Sequence, residues 1–136
     1  MMQIEIREIH PAGKGGLLNE EWFLLENAGE SAFSTAGCTI GTARGSGRLH
    51  TIGTLDPGFT MAPGEKVRVV TGNPSKKQHG KPPEVDGVKN YHLFQAEPII
   101  LGAGTSVAVT LRQHEVARAM FDPKVKSGVA VVKAAE

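Results

Sequence analysis

The stretch Glu21-Trp-Phe-Leu-Leu-Glu-Asn27, followed by the turn residues Ala28-Gly-Glu-Ser31, is the strongest strand signal in the chain. Successive side chains of a strand face opposite sides. Phe23 and Leu25 therefore share one face, and Trp22 and Leu24 the other. Both faces are apolar, whereas a sandwich strand normally shows one of them to water. Something must cover Trp22 and Leu24. One candidate is the C-terminal run Val129, Val131 and Val132, folded back within the chain. The other is a second subunit or a partner, because tryptophan is enriched among interface anchors. Trp22 as an ordinary, largely buried core residue is the plain alternative.

To either side, 17 glycines and 8 prolines divide the chain into short runs, a spacing that suggests a sandwich or barrel. Residues 3–9 read as a first strand with Ile4 and Ile6 on one face. Ile9 breaks the alternation, which predicts a bulge or bend near Arg7. Residues 38–42 and 48–55 read as strands around the loop 43–47. The short run 59–62 ends at the turn Pro63-Gly-Glu65, and 66–71 alternates well. A strand at 91–94 follows, then a hairpin of 106–111 and 116–121 around 112–115, and a last strand at 128–133. The segment Glu115-Val-Ala-Arg-Ala-Met120 has good helix propensity, but the period-two set Val116, Arg118 and Met120 favours a strand. Residues 72–88 are polar and rich in Gly, Pro and Lys. That is long for a loop inside a compact domain, so the segment is either functional or mobile. Eight or nine short strands without a long helix predict an antiparallel all-β sandwich or barrel.

At 136 residues the chain suits a single domain spanning 1–136, with 124–136 as a C-terminal extension. Apolar residues at 40% and charged residues at 21% exclude overall disorder. A net charge of +1 argues against whole-domain attraction to nucleic acid or anionic membrane. Cys38 is the sole cysteine, so no intrachain disulfide can form, which leans towards a reducing compartment. Residues 1–10 include Glu5, Arg7 and Glu8 and lack the apolar core of a signal peptide. No stretch approaches the ~20 apolar residues of a membrane-spanning helix. The expectation is a soluble, cytoplasmic chain with no membrane partner.

Three segments resemble a lamin tail domain. Ile6-Arg-Glu-Ile9 is similar to the family's opening strand. Asn19-Glu-Glu-Trp-Phe-Leu-Leu-Glu-Asn27 with Ala28-Gly-Glu30 is similar to its second strand. Phe59-Thr-Met-Ala-Pro-Gly-Glu-Lys-Val67 is similar to its apolar-Ala-Pro-Gly turn. The resemblance runs from Ile6 to about Pro123 and rests on the order and spacing of these segments. The chain departs from the family pattern at Leu24, where an acidic residue is usual, and Asn90-Tyr91 stands where a Trp-Asn element is expected. The resemblance implies an immunoglobulin-like antiparallel β-sandwich in a free-standing, prokaryotic-type version. It also implies an adaptor role: binding proteins and, in some members, associating with DNA or attached enzyme domains.

Chemistry-bearing motifs are sparse. His10, His50, His79, His92 and His114 show no zinc-type spacing, and Cys38 has no cysteine partner, so no metal or cofactor is expected. Gly45-Ser-Gly47 lacks the longer frame of a serine nucleophile elbow and reads as a loop. Gly13-Lys-Gly-Gly16 lacks the ending of a phosphate loop. Glu20 and Glu21 are adjacent, so a strand would turn them to opposite faces, unsuited to paired acid/base work. Cys38, in an apolar strand, reads as a buried inert thiol.

The expected function is a non-catalytic structural or protein-interaction module that binds a protein partner or a second copy. Trp22 and Leu24 lead the contact, and Lys76, Lys77 and Lys81 of the polar loop come second. The alternative is a nucleic-acid module in which those lysines and His79 join Lys14, Arg44 and Arg48 in one patch. A hydrolase built on Cys38 or a histidine cluster is the third reading and requires a pocket holding at least two such groups.

Overall fold

Alternating runs become strands because pairing satisfies their backbone groups, and turn residues set where each run ends. The structure, a computed structural model, describes residues 3–12, 15–84, 87–112 and 114–130. Among them lie ten strands: β1 (Ile4–His10), β2 (Trp22–Asn27), β3 (Phe33–Ser34), β4 (Thr39–Arg44), β5 (His50–Thr54), β6 (Thr60–Met61), β7 (Lys66–Val70), β8 (Lys89–His92), β9 (Thr105–Leu111) and β10 (His114–Met120). One sheet has the order β1-β2-β7-β8 and the other β10-β9-β4-β5; β3 and β6 form a separate small pair. Phe23, Leu25, Val67 and Val69 of the first sheet pack against Ile40, Val107 and Val109 of the second, with Leu55 and Met61 in the same core. The fold is an all-β sandwich, as expected. Its strands number ten rather than eight or nine, and the two residues of β3 are too short a pattern to read.

Several local features follow from sequence. The register of β1 shifts between Ile6 and Glu8, which places the bulge at Arg7. Asn27 is fully buried and closes its own turn, with Oδ1 accepting from Gly29 N at 3.0 Å. Pro63 and Gly64 occupy the centre of a tight turn in which Glu65 N donates to Ala62 O. Gly64 has φ +82°, a conformation that glycine adopts without penalty. The 9–10 hairpin forms, but a bulge between Glu115 and Ala117 changes its phase, so Ala117 rather than Val116 or Met120 is buried.

β7 and β8 pair in parallel. Parallel neighbours cannot be joined by a tight turn and need a connection of about a dozen residues or more. This is the structural reason for the long polar segment 72–88. On the opposite flank, the chain after β10 seals β1: Ile9 N donates to Ser127 O (2.9 Å), and Ala130 N to Met120 O (2.8 Å). The strand expected at 128–133 is reduced to an isolated bridge between Val129 and Phe121, and residues 131–133 lie outside the described residues.

Candidate interaction surface

Pairing across the first sheet places His10, Trp22, Val70 and His92 in one row and Glu8, Leu24, Arg68 and Asn90 in the next. Both rows lie on the outer face, since Phe23 and Val69 point into the core. Trp22 is half-buried between residues of its two neighbouring strands. The His10 imidazole stacks on it from β1, with ring centroids 5.2 Å apart and planes 3° from parallel. The Arg68 guanidinium, from β7, lies 5.4 Å from the ring centre. His10 is itself held by a 2.7 Å hydrogen bond from Nδ1 to the Glu20 carbonyl.

Leu24, expected at the contact surface, is only 5% exposed and is not available to a partner. Its cover comes from within the chain. Glu8 and Arg68 stand opposite it. Arg68 in turn donates to the Glu84 and Val88 carbonyls and to Asn90 Oδ1, tying the 72–88 segment to this face. Of the C-terminal valines proposed as a cover, Val129 packs on the main core beside Phe121, while Val131 and Val132 lie outside the described residues.

The polar segment is fastened at several points. Asn19, in a 3-10 turn over Leu18–Glu20, donates to the Asn73 and Gly80 carbonyls at 3.0 and 2.8 Å. His79 Nδ1 accepts from Asn73 N at 2.8 Å, and Asn90 Nδ2 donates to Pro83 O at 2.7 Å. Gly72 allows this docking: a Cβ there would stand 2.5 Å from Asn19 Oδ1. Lys76, Lys77 and Lys81 are exposed around an open depression shared with Pro74, Ser75 and Gly80. Among the described residues none of the three has an ion-pair partner. Asn19 stands three positions before Trp22, so the fold brings the tryptophan and the lysine loop to one end of the first sheet. Arg44 and Arg48 belong to the β4–β5 hairpin of the other sheet, and Lys14 is outside the described residues.

The buried groups are tied to the core. Cys38 is fully buried, and burial pushes its thiol pKa up. Glu21, unremarked in the sequence beyond its neighbour, is also fully buried. Its carboxylate accepts from Thr71 Oγ1 (2.7 Å), Ile99 N (2.8 Å) and Ile100 N (3.1 Å), joining the 99–100 backbone to the first sheet. His50 and His114 begin β5 and β10 of the second sheet, while His10 and His92 end β1 and β8 of the first. Among the described residues no group of three or more His, Cys, Asp or Glu side chains is placed to hold a metal, and no helix is long and apolar enough to cross a membrane. Sequence reasoning missed His10 and Arg68 as partners of Trp22, because their proximity arises only from strand register.

The chain matches no family model and no curated protein.

Proposed function

We propose that this chain is a non-catalytic protein-interaction module that engages a protein partner, a second copy included, through the Trp22 end of its first sheet. The observation that carries this reading is that Asn19, three positions before Trp22, ties the loop bearing Lys76, Lys77 and Lys81 to the Trp22 end of the first sheet. A half-covered aromatic residue with Arg68 over its ring, at the same end of the sheet as three exposed lysines, suits recognition of a surface with acidic character. The buried thiol of Cys38 and the fully hydrogen-bonded carboxylate of Glu21 support a non-catalytic role. The lamin-tail resemblance points to the same adaptor role.

Light scattering tests the self-associating form. Wild type is expected to weigh more than one chain, and Trp22→Ala combined with Lys76→Glu, Lys77→Glu and Lys81→Glu to be folded and single. Equal single-chain masses for both would overturn it. The three exposed lysines also favour a second reading, a nucleic-acid contact. For it, binding of duplex DNA should weaken with salt at a log–log slope of about −3, close to one unit per lysine. Absence of binding at low salt removes that reading.

A further inference from the structure

β8 is the terminal strand of the first sheet, and among the described residues it pairs on one side only. Leu93 N donates to Val70 O and Gln95 N to Thr71 O, both at 2.8 Å. Alternation along the strand therefore turns the backbone groups of Asn90 and His92 away from β7. Outside the strand ladders, the N–H and C=O groups of these two residues make no backbone hydrogen bond among the described residues. Two depressions adjoin the strand and share Asn90 and Tyr91. The smaller, about 110 Å³, is bounded by Phe59, Val67 and Lys89. The larger, about 350 Å³, is bounded by Asp56, Pro57, His92 and Phe94.

Phe94 marks the far end of this edge. It is 63% exposed, its ring lies 6.2 Å from that of His92, and its φ is +57°. A bulky side chain in the left-handed region is strained, and such positions concentrate at binding sites. The strain here holds an aromatic ring in solvent beside an open strand.

We propose that the β8 edge is a docking site for an extended peptide segment of a partner protein. The segment adds a strand beside β8, sets apolar side chains at alternate positions into the two depressions, and packs one against Phe94. Unpaired strand backbone is chemically complementary to another extended backbone, and alternate pockets supply side-chain selection. A second copy fits less well. β8 spans four residues, about 13 Å at strand rise, and edge pairing of two sandwiches over that length falls short of the ~1,200 Å² of a stable interface. Exposed Lys89 at the start of β8 also opposes pairing of two such edges and suits an acidic residue in the peptide. The proposal rests on the interaction-module reading but uses the opposite edge of the sheet from the Trp22–His10 pair.

The test begins by selecting a library of random linear peptides against the wild-type chain. Affinities of the selected peptides are then measured for wild type, His92→Ala, His92→Pro and Phe94→Gly. His92→Ala and His92→Pro lose the same side chain, but only the proline loses the outward N–H. The expected result is that His92→Pro binds about tenfold or more weaker than His92→Ala, the difference one strand hydrogen bond makes. Phe94→Gly should also bind weakly while melting no lower than wild type. Amide exchange on wild type gives a readout that does not depend on variant folding: the Asn90 and His92 amides should slow when peptide is bound. No selected peptide, equal binding to both His92 variants, or slowed amides elsewhere would overturn the proposal. Peptides that need Trp22 or the lysines but not His92 would also overturn it, while sustaining the interaction reading itself.

Discussion

Glu21 shows how one buried group can shape the pH response of the whole chain. Burial raises its pKa above the ordinary value of 4.5, and the hydrogen bonds from Ile99, Thr71 and Ile100 pull the other way without overcoming burial. The folded chain therefore holds this proton more tightly than the unfolded one. The resulting stabilisation is complete below the ordinary carboxylate pKa and is lost as pH rises through the raised one. Glu21→Gln cannot titrate. Urea unfolding measured from pH 4.5 upward should show wild type losing stability relative to this variant as pH rises. Parallel curves would rule Glu21 out as the titrating group. The sequence offered no sign of this role, because Ile99 and Ile100 lie far along the chain and reach Glu21 only through the fold.

At the scale of elements, β2 and its turn were legible because their signals are local. Apolar residues bounded by turn formers mark the strand, and Asn27 closes the turn through its own side chain. That side chain also donates to Ser31 O and Met61 O, both at 2.9 Å, so it joins β2 to β6. Asn27→Ala leaves a donor and two acceptors without their partners, at a cost of roughly 3 kcal/mol, readable as a lowered urea midpoint with unchanged slope. A loss under about 1 kcal/mol would mean that water replaces all three bonds. β8 was displaced by two residues in the sequence reading, which placed it at 91–94. Leu93 and Phe94 look like strand residues, but the regular strand stops at His92; Leu93 N and Gln95 N still reach Val70 O and Thr71 O around the left-handed residue Phe94, and no local pattern announces that conformation. The phase of β10 was misread for a related reason: a one-residue bulge reverses every later side chain.

At the scale of the molecule, the two flanks of the sandwich differ. The β1–β10 flank is closed by the segment around Ser127, Gly128 and Val129, while β5 and β8 end their sheets on the other side. Gly128 makes the closure possible. Its φ is +79°, and a Cβ there would overlap the Ile9 carbonyl oxygen. Gly128→Ala should cost roughly 2 kcal/mol and speed exchange of the Ile9 amide, as the segment lifts from β1. Unchanged exchange at Ile9 would show that the flank closes by other contacts.

The sequence by itself determined the all-β class, most strand positions, an irregularity near Arg7, the turn at Pro63-Gly64 and the burial of Cys38. These depend on periodicity and local conformational preference, which are written in neighbouring residues. Tertiary structure alone decided that Leu24 is covered from within, that His10 and Arg68 flank Trp22, that Asn19 ties the lysine loop to the same end of the sheet, and that β8 ends the first sheet. Each of these depends on register or on a contact between residues distant in sequence, and composition and spacing carry no record of which strands become neighbours.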